Sequence, residues 1–187
     1  GGGKSFANNL IVYYAVLYGA QAVIVDPKAE RGRWKETLPE ISHEINIVTL
    51  TSDEKNKGLL DPYVIMKNPK DSESLAIDIL TFLTGISSRD GERFPILRKA
   101  IRAVTNSEVR GLMKVIEDFA HLLFSNGYVE QSISLEKQLN IIQVADLVLP
   151  DKETSFEEYT TMELLSVAML IVISTFALDF IHTDRSI

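Results

Sequence analysis

Apolar residues at positions 6, 10, 13, 14 and 17 repeat at the i, i+4, i+7, i+8 spacing of one buried helical face, so a helix is predicted from Phe6 to Tyr18 and a stop at Gly19. Ala20 to Val25 is then nearly all apolar, with β-branched side chains, and closes on Asp26-Pro27. Short and flanked by turn residues, it reads as a strand buried on both faces. A brief helical stretch around Trp34 leads to a second strand near Ile45 to Leu50. Polar Thr51 to Gly58 reads as a loop, and Leu59 to Ile65 as a short extended segment broken by Pro62.

Beyond Asp71 the period becomes helical. Asp71 or Ser72 is expected to cap a helix with the stripe Leu75, Ile79, Leu80, Phe82 and Leu83, ended by Gly85. Pro95 marks the first turn of a helix carrying Ile96, Leu97, Ala100, Ile101 and Val104. Ser107 can cap another, with Leu112, Val115, Ile116, Phe119, Leu122 and Leu123 inside. Ile141 to Leu149 then reads as a strand, Pro150 to Ser155 as a turn, and Phe156 to about His182 as a long apolar helix. Its uncharged stretch, Leu164 to Leu178, is short of the roughly twenty residues that span a bilayer, so a buried core helix is expected. The chain thus divides into an α/β part over residues 1–66, a helical insertion over 67–140, and a strand and helix over 141–187 that return to the α/β core.

Charge and composition narrow the chemistry. The 187 residues contain no cysteine, which excludes disulfides and thiolate metal sites. His43, His121 and His182 lie far apart and lack the local spacing of metal ligands. A net charge of -7 argues against a broad nucleic-acid face. Against that background Arg89, Arg93, Arg98, Lys99 and Arg102 crowd one stretch, joined by Arg110 and Lys114. Such a run is a solvated helix face in its plain reading and a contact for DNA, a subunit or a partner in its sharper one.

The first residues carry the strongest signal. Gly3-Lys4-Ser5 matches the end of the phosphate-binding pattern G-x-x-x-x-G-K-[ST], whose first glycine would fall ahead of residue 1. Glycines let backbone N–H groups turn toward an anion, and the helix behind them adds its positive end. Gly1, Gly2, Gly3, Lys4, Ser5 and Phe6 are therefore the candidate nucleotide-binding residues, with Lys4 reaching the β- and γ-phosphates of ATP and Ser5 on a Mg²⁺ ion. A glycine-rich terminus containing Lys-Ser by chance is the bland alternative, and the loop, helix, strand order behind the motif argues against it. Asp26 and Lys28 are candidates for a place beside the phosphates or the metal. Asp26 could also simply shape its turn, or pair with Lys28 or Arg31.

Gly1 to Phe6, followed by Ala22-Val-Ile-Val-Asp26-Pro27-Lys28-Ala29-Glu30, resembles the conjugative-transfer ATPases of type IV secretion systems, the VirB-type motors within the HerA and FtsK class, in the form found in Gram-positive conjugative elements. Leu59-Leu-Asp61-Pro62 is similar to that family's Asn-Pro-Leu-Asp segment, and Leu97 to Val104 to a helix of its all-α insertion. Ala29 departs from the pattern, which has glycine after Asp-Pro-Lys. The resemblance implies a partial P-loop NTPase core of RecA-like α/β fold with an all-α insertion. It implies a hexameric ATPase at the cytoplasmic side of a membrane, attached to type IV secretion channel components rather than spanning the bilayer, and driving DNA or protein transfer.

The family's Walker B Asp-Glu pair is expected beyond residue 187, which leaves the catalytic base unassigned and predicts weak nucleotide binding and negligible hydrolysis by these residues alone. Two other functions stay open at this level. One is a DNA pump of the HerA or FtsK type that contacts DNA through Arg93, Arg98 or Arg102, and the other a non-hydrolysing assembly module of a secretion channel.

Overall fold

A computed structural model describes residues 2–51, 56, 58–102, 133, 136–144 and 147–182. The chain divides into two compact units, one built of Gly1–Thr51, Ile133–Asp146 and Ala177–Ile187, the other of Ser52–Ser132 and Leu147–Phe176.

In the first unit, helix α1 (Gly2–Leu17) leads through a turn at Gly19 into strand β1 (Ala22–Asp26), then a single helical turn α2 (Trp34–Thr37), a 3-10 turn (Ser42–Glu44) and strand β2 (Ile45–Thr49). The later strand β3 (Leu139–Gln143) inserts between the two earlier ones, giving the order β1-β3-β2 with every pair parallel. The register aligns Ile24, Ile141 and Ile47 across the sheet, and two residues further Asp26, Gln143 and Thr49. Because strand side chains alternate in direction, these six residues share one face. That face carries α1: Val12, Tyr13 and Val16 pack with Ile24, Ile141, Ile47, Ile41 and Trp34 in one apolar cluster.

Three sequence expectations are corrected here. The stripe of α1 at positions 6, 10, 14 and 17 is exposed, Phe6 by 69%, and the helix instead turns Asn9, Val12, Tyr13 and Val16 inward. Apolar residues surround this helix, so its periodicity does not single out a face; contact with the sheet does. Strand β1 is only half-buried: among the described residues it pairs with β3 alone, and its exposed Val25 alternates to the face opposite the one that carries α1. The strand read from Ile141 to Leu149 is instead Leu139–Gln143, and residues 147–150 are irregular.

The second unit is helical where described. Leu59 to Ile65 is not an extended segment: Asp61 caps a single turn, α3 (Pro62–Ile65), accepting from the Tyr63 amide at 2.9 Å, and Pro62 takes the first helical position where its missing N–H costs nothing. Helix α4 (Pro69–Thr84) repeats the device one element later, capped by Asn68 rather than by Asp71 or Ser72. It buries Leu75, Ile79, Leu80 and Leu83 as expected, and ends at Gly85, whose φ of 67° is the left-handed conformation of a helix stop. Phe82 is half-buried and meets Phe156 edge-on with ring centroids 5.3 Å apart. Helix α5 (Arg93–Arg102) buries Leu97 and Ile101 against Ala76 and Leu80, while Ile96, expected inside, faces solvent. The helix expected from Ser107 to Leu123, and Val104, lie outside the described residues.

After a 3-10 turn (Phe156–Glu158), helix α6 (Thr161–His182) completes the chain's described part, starting five residues later than its apolar pattern suggested. Its residues to Phe176 belong to the second unit and those from Ala177 to the first. By length and composition alone α6 could cross a membrane, longer than the uncharged stretch implied; within its most apolar window 44% of the residues are buried in protein. Leu165, Ala168, Met169, Val172, Ile173, Phe176 and Phe180 are all covered.

Candidate functional site

Lys4 and Ser5 lie in the first turns of the sixteen-residue helix α1, and both are exposed. The amides at the start of such a helix have no intrahelical acceptor, and their aligned dipoles favour an anion. A side chain placed on Gly3 would meet no atom within 4 Å, so the approach to these amides is open. Gly1 lies outside the described residues, and Gly2 begins the helix itself. This donor set fits a phosphate: backbone N–H groups, the Lys4 ammonium and a hard hydroxyl oxygen on Ser5 of the kind that Mg²⁺ accepts. Phe6, the sixth candidate, points to solvent.

The helix leads into a strand parallel to its neighbours, so its start lies toward the carboxyl ends of β1, β3 and β2, the edge at which open α/β sheets place their ligands. Along that edge, on the face that carries α1, stand Asp26, Gln143 and Thr49. Asp26 is 1% exposed and accepts from Arg31 twice: from the backbone N–H at 2.8 Å and from Nη1 at 3.0 Å. Arg31 is thus the partner of Asp26 among the alternatives the sequence left open, and Lys28 is exposed. The same guanidinium donates Nε and Nη2 to Asn9 Oδ1 of α1, at 3.2 and 2.9 Å, and lies 5.7 Å from the centre of the Trp34 ring. Thr49 donates its hydroxyl to Gln143 Oε1 at 2.8 Å, while Gln143 Nε2 is buried with no hydrogen-bond partner. Gly32 borders that nitrogen: a Cβ there would come within 3.3 Å of it.

Sequence reasoning passed over Asn9, Gly32, Thr49 and Gln143. Thr49 and Gln143 were legible only as polar residues inside apolar strands expected to run on to Leu50 and Leu149; the structure makes them the strand ends. Asn9 carried a weak signal as a polar residue four positions after Ser5, on the same helical face.

Among the described residues no three His, Asp or Glu side chains cluster as a metal site. Of the three arginines considered for DNA, Arg93 donates Nε to Asp90, Arg98 is exposed with Lys99 beside Phe94 and Pro95 on α5, and the side chain of Arg102 is outside the described part.

Comparison with known proteins adds a family. A family model described as an AAA-like domain matches residues 1–119 and 117–187. A relative, the uncharacterized protein YddE of Bacillus subtilis (strain 168), is 25% identical over 215 aligned positions, which cover 94% of this chain and 26% of that protein. The chain therefore spans about a quarter of the length of this curated relative. No solved structure matches it.

Proposed function

Since the chain belongs to the AAA-like domain family of P-loop ATPases, we propose that it forms the ATP-binding part of a motor ATPase of conjugation or type IV secretion. One observation carries the reading: Gly3-Lys4-Ser5 opens a helix that runs back into a parallel strand ending in Asp26-Pro27-Lys28, with the helix start open to solvent. In this reading the α1 amides and Lys4 hold the phosphates of ATP, and Ser5 gives one oxygen to Mg²⁺. Bound Mg²⁺ supplies charge neutralisation for phosphoryl transfer, and the residues of this chain bind and orient. The sheet takes RecA-like order within a longer parent. That parent works as a hexamer at the cytoplasmic face of a membrane, docked to the components of a secretion channel and moving DNA or protein through it.

Titration with a fluorescent ATP analogue tests the first step. Lys4→Ala is expected to weaken binding by at least about tenfold, equivalent to about 1.4 kcal/mol. Because Lys4 is exposed and off the core, the melting temperature without nucleotide should stay unchanged. Undiminished affinity in that variant would sink the assignment of the site.

A further inference from the structure

The apolar packing of α1 is lopsided. Val12, Tyr13 and Val16, all in its second half, join the core cluster, while residues 3–8 are exposed. The first half of the helix, which carries Lys4 and Ser5, has one described polar tie to the sheet, at Asn9. Asn9 follows Ser5 by four residues, so the two lie on one face, about 6 Å apart along the axis.

Arg31 makes that tie rigid. Its planar fork is used on both sides, two N–H groups on Asn9 Oδ1 and one on Asp26 Oδ1, and its own amide closes on Asp26 Oδ2. With Asp26 anchored at the end of β1 and Arg31 only 16% exposed, the guanidinium has no second arrangement that keeps these bonds. A lysine could neutralise Asp26, but its ammonium lacks the planar fork that places two N–H groups on Asn9 while a third meets Asp26.

We infer that Arg31 is a positioning residue: through Asn9 it sets the height and rotation of the first turns of α1 against β1, and so the direction in which Ser5 presents its hydroxyl to a Mg²⁺–nucleotide. The inference rests on the reading of Ser5 as the metal ligand given above. It distinguishes the phosphate hold, which the helix amides and Lys4 provide without Arg31, from the metal-dependent part of affinity, which needs Ser5 to be correctly turned.

The test measures affinity for a fluorescent ATP analogue in Mg²⁺ and in EDTA, together with thermal melting, for the protein and its Ser5→Ala, Asn9→Ala and Arg31→Lys variants. Ser5→Ala should abolish the gain in affinity that Mg²⁺ brings. Asn9→Ala and Arg31→Lys should each cut that gain by about tenfold, about 1.4 kcal/mol, and leave affinity in EDTA unchanged. Asn9→Ala removes no buried charge and keeps the Asp26–Arg31 pair, so its melting should stay close to that of the parent even if Arg31→Lys melts lower. A full Mg²⁺ gain in Asn9→Ala, with Ser5→Ala lacking it, overturns the inference and leaves the nucleotide site standing. Equal losses in Mg²⁺ and in EDTA also overturn it, because they mark general loosening of the helix. If Ser5→Ala itself keeps the gain, or the protein binds in neither condition, the reading of Ser5 falls and the inference with it.

Discussion

Ala29 has φ of 51°, the left-handed region in which a Cβ crowds the backbone, and it is the one such non-glycine among the described residues. It closes the turn that begins at Asp26, donating its N–H to the Asp26 carbonyl at 3.3 Å. The Asp-Pro-Lys pattern that this segment resembles has glycine at this position, and the backbone gives a reason for it: the turn has a positive φ. Holding alanine there costs about 1–2 kcal/mol, whereas glycine gives back about 0.5–1 kcal/mol in unfolded-chain entropy. The first term is larger, so Ala29→Gly should stabilise the protein by about 0.5 kcal/mol, read as a higher denaturant midpoint. A lower midpoint would show that the turn tolerates the Cβ. The sequence contained the departure from glycine but not its sign, because the φ that decides it is seen only in the folded turn.

At the level of elements, caps were easier to place once chain direction and packing were known. Glu163 at the start of α6 accepts from the Thr160 backbone N–H and hydroxyl, both at 2.7 Å, and Thr160 accepts in return from the Glu163 amide at 3.3 Å. The two residues form the reciprocal box that marks a helix start; Ser155 and Glu158 form an equivalent one ahead of the 3-10 turn at Phe156, so the box marks both starts and does not by itself choose where the long helix begins. The Thr160 amide first, and its hydroxyl second, hold the Glu163 carboxyl below the usual glutamate range. A carboxyl with a lowered folded pKa contributes stability above its unfolded value, and that contribution disappears as pH falls through the lowered one. The α6 start should therefore loosen on acidification below the ordinary glutamate pKa. Hydrogen exchange of its first-turn amides, relative to the same amides in Glu163→Gln, measures this. Equal pH dependence in the two proteins on that acid side would count against the box. Helix α1 gives the complementary case. Its existence and Gly19 stop were readable from its sequence, but its start was not, since it begins at Gly2 and takes in Lys4 and Ser5 rather than starting at Phe6, and neither was its buried face, because both of its sides are apolar.

Across the whole molecule the decisive fact is that β3 comes last in the sheet and sits in its middle. Ile141, fully buried, pairs with Ile24 on one side and Ile47 on the other. Ile141→Ala should cost about 3 kcal/mol by unfolding equilibrium, as for a sealed core position, and Ile24→Ala on the half-buried edge strand clearly less. Equal losses would mean that the central position of β3 brings no extra packing. Local sequence by itself determined the helix-then-strand order of the first fifty residues and the glycine stops at Gly19 and Gly85, because these depend on periods and turn chemistry within a few residues. The helical content near residue 100 was equally legible for the same reason. Only the tertiary structure decided that Asp26, Gln143 and Thr49 end level on one face, that Asp26 is held by Arg31, and that Asn9 ties the helix to that edge. The first depends on strand order and register between segments more than ninety residues apart, the other two on side-chain contacts 5 and 22 residues apart that only the folded turn and helix bring about; a pattern of apolar positions specifies at most a face, and not the neighbour that covers it.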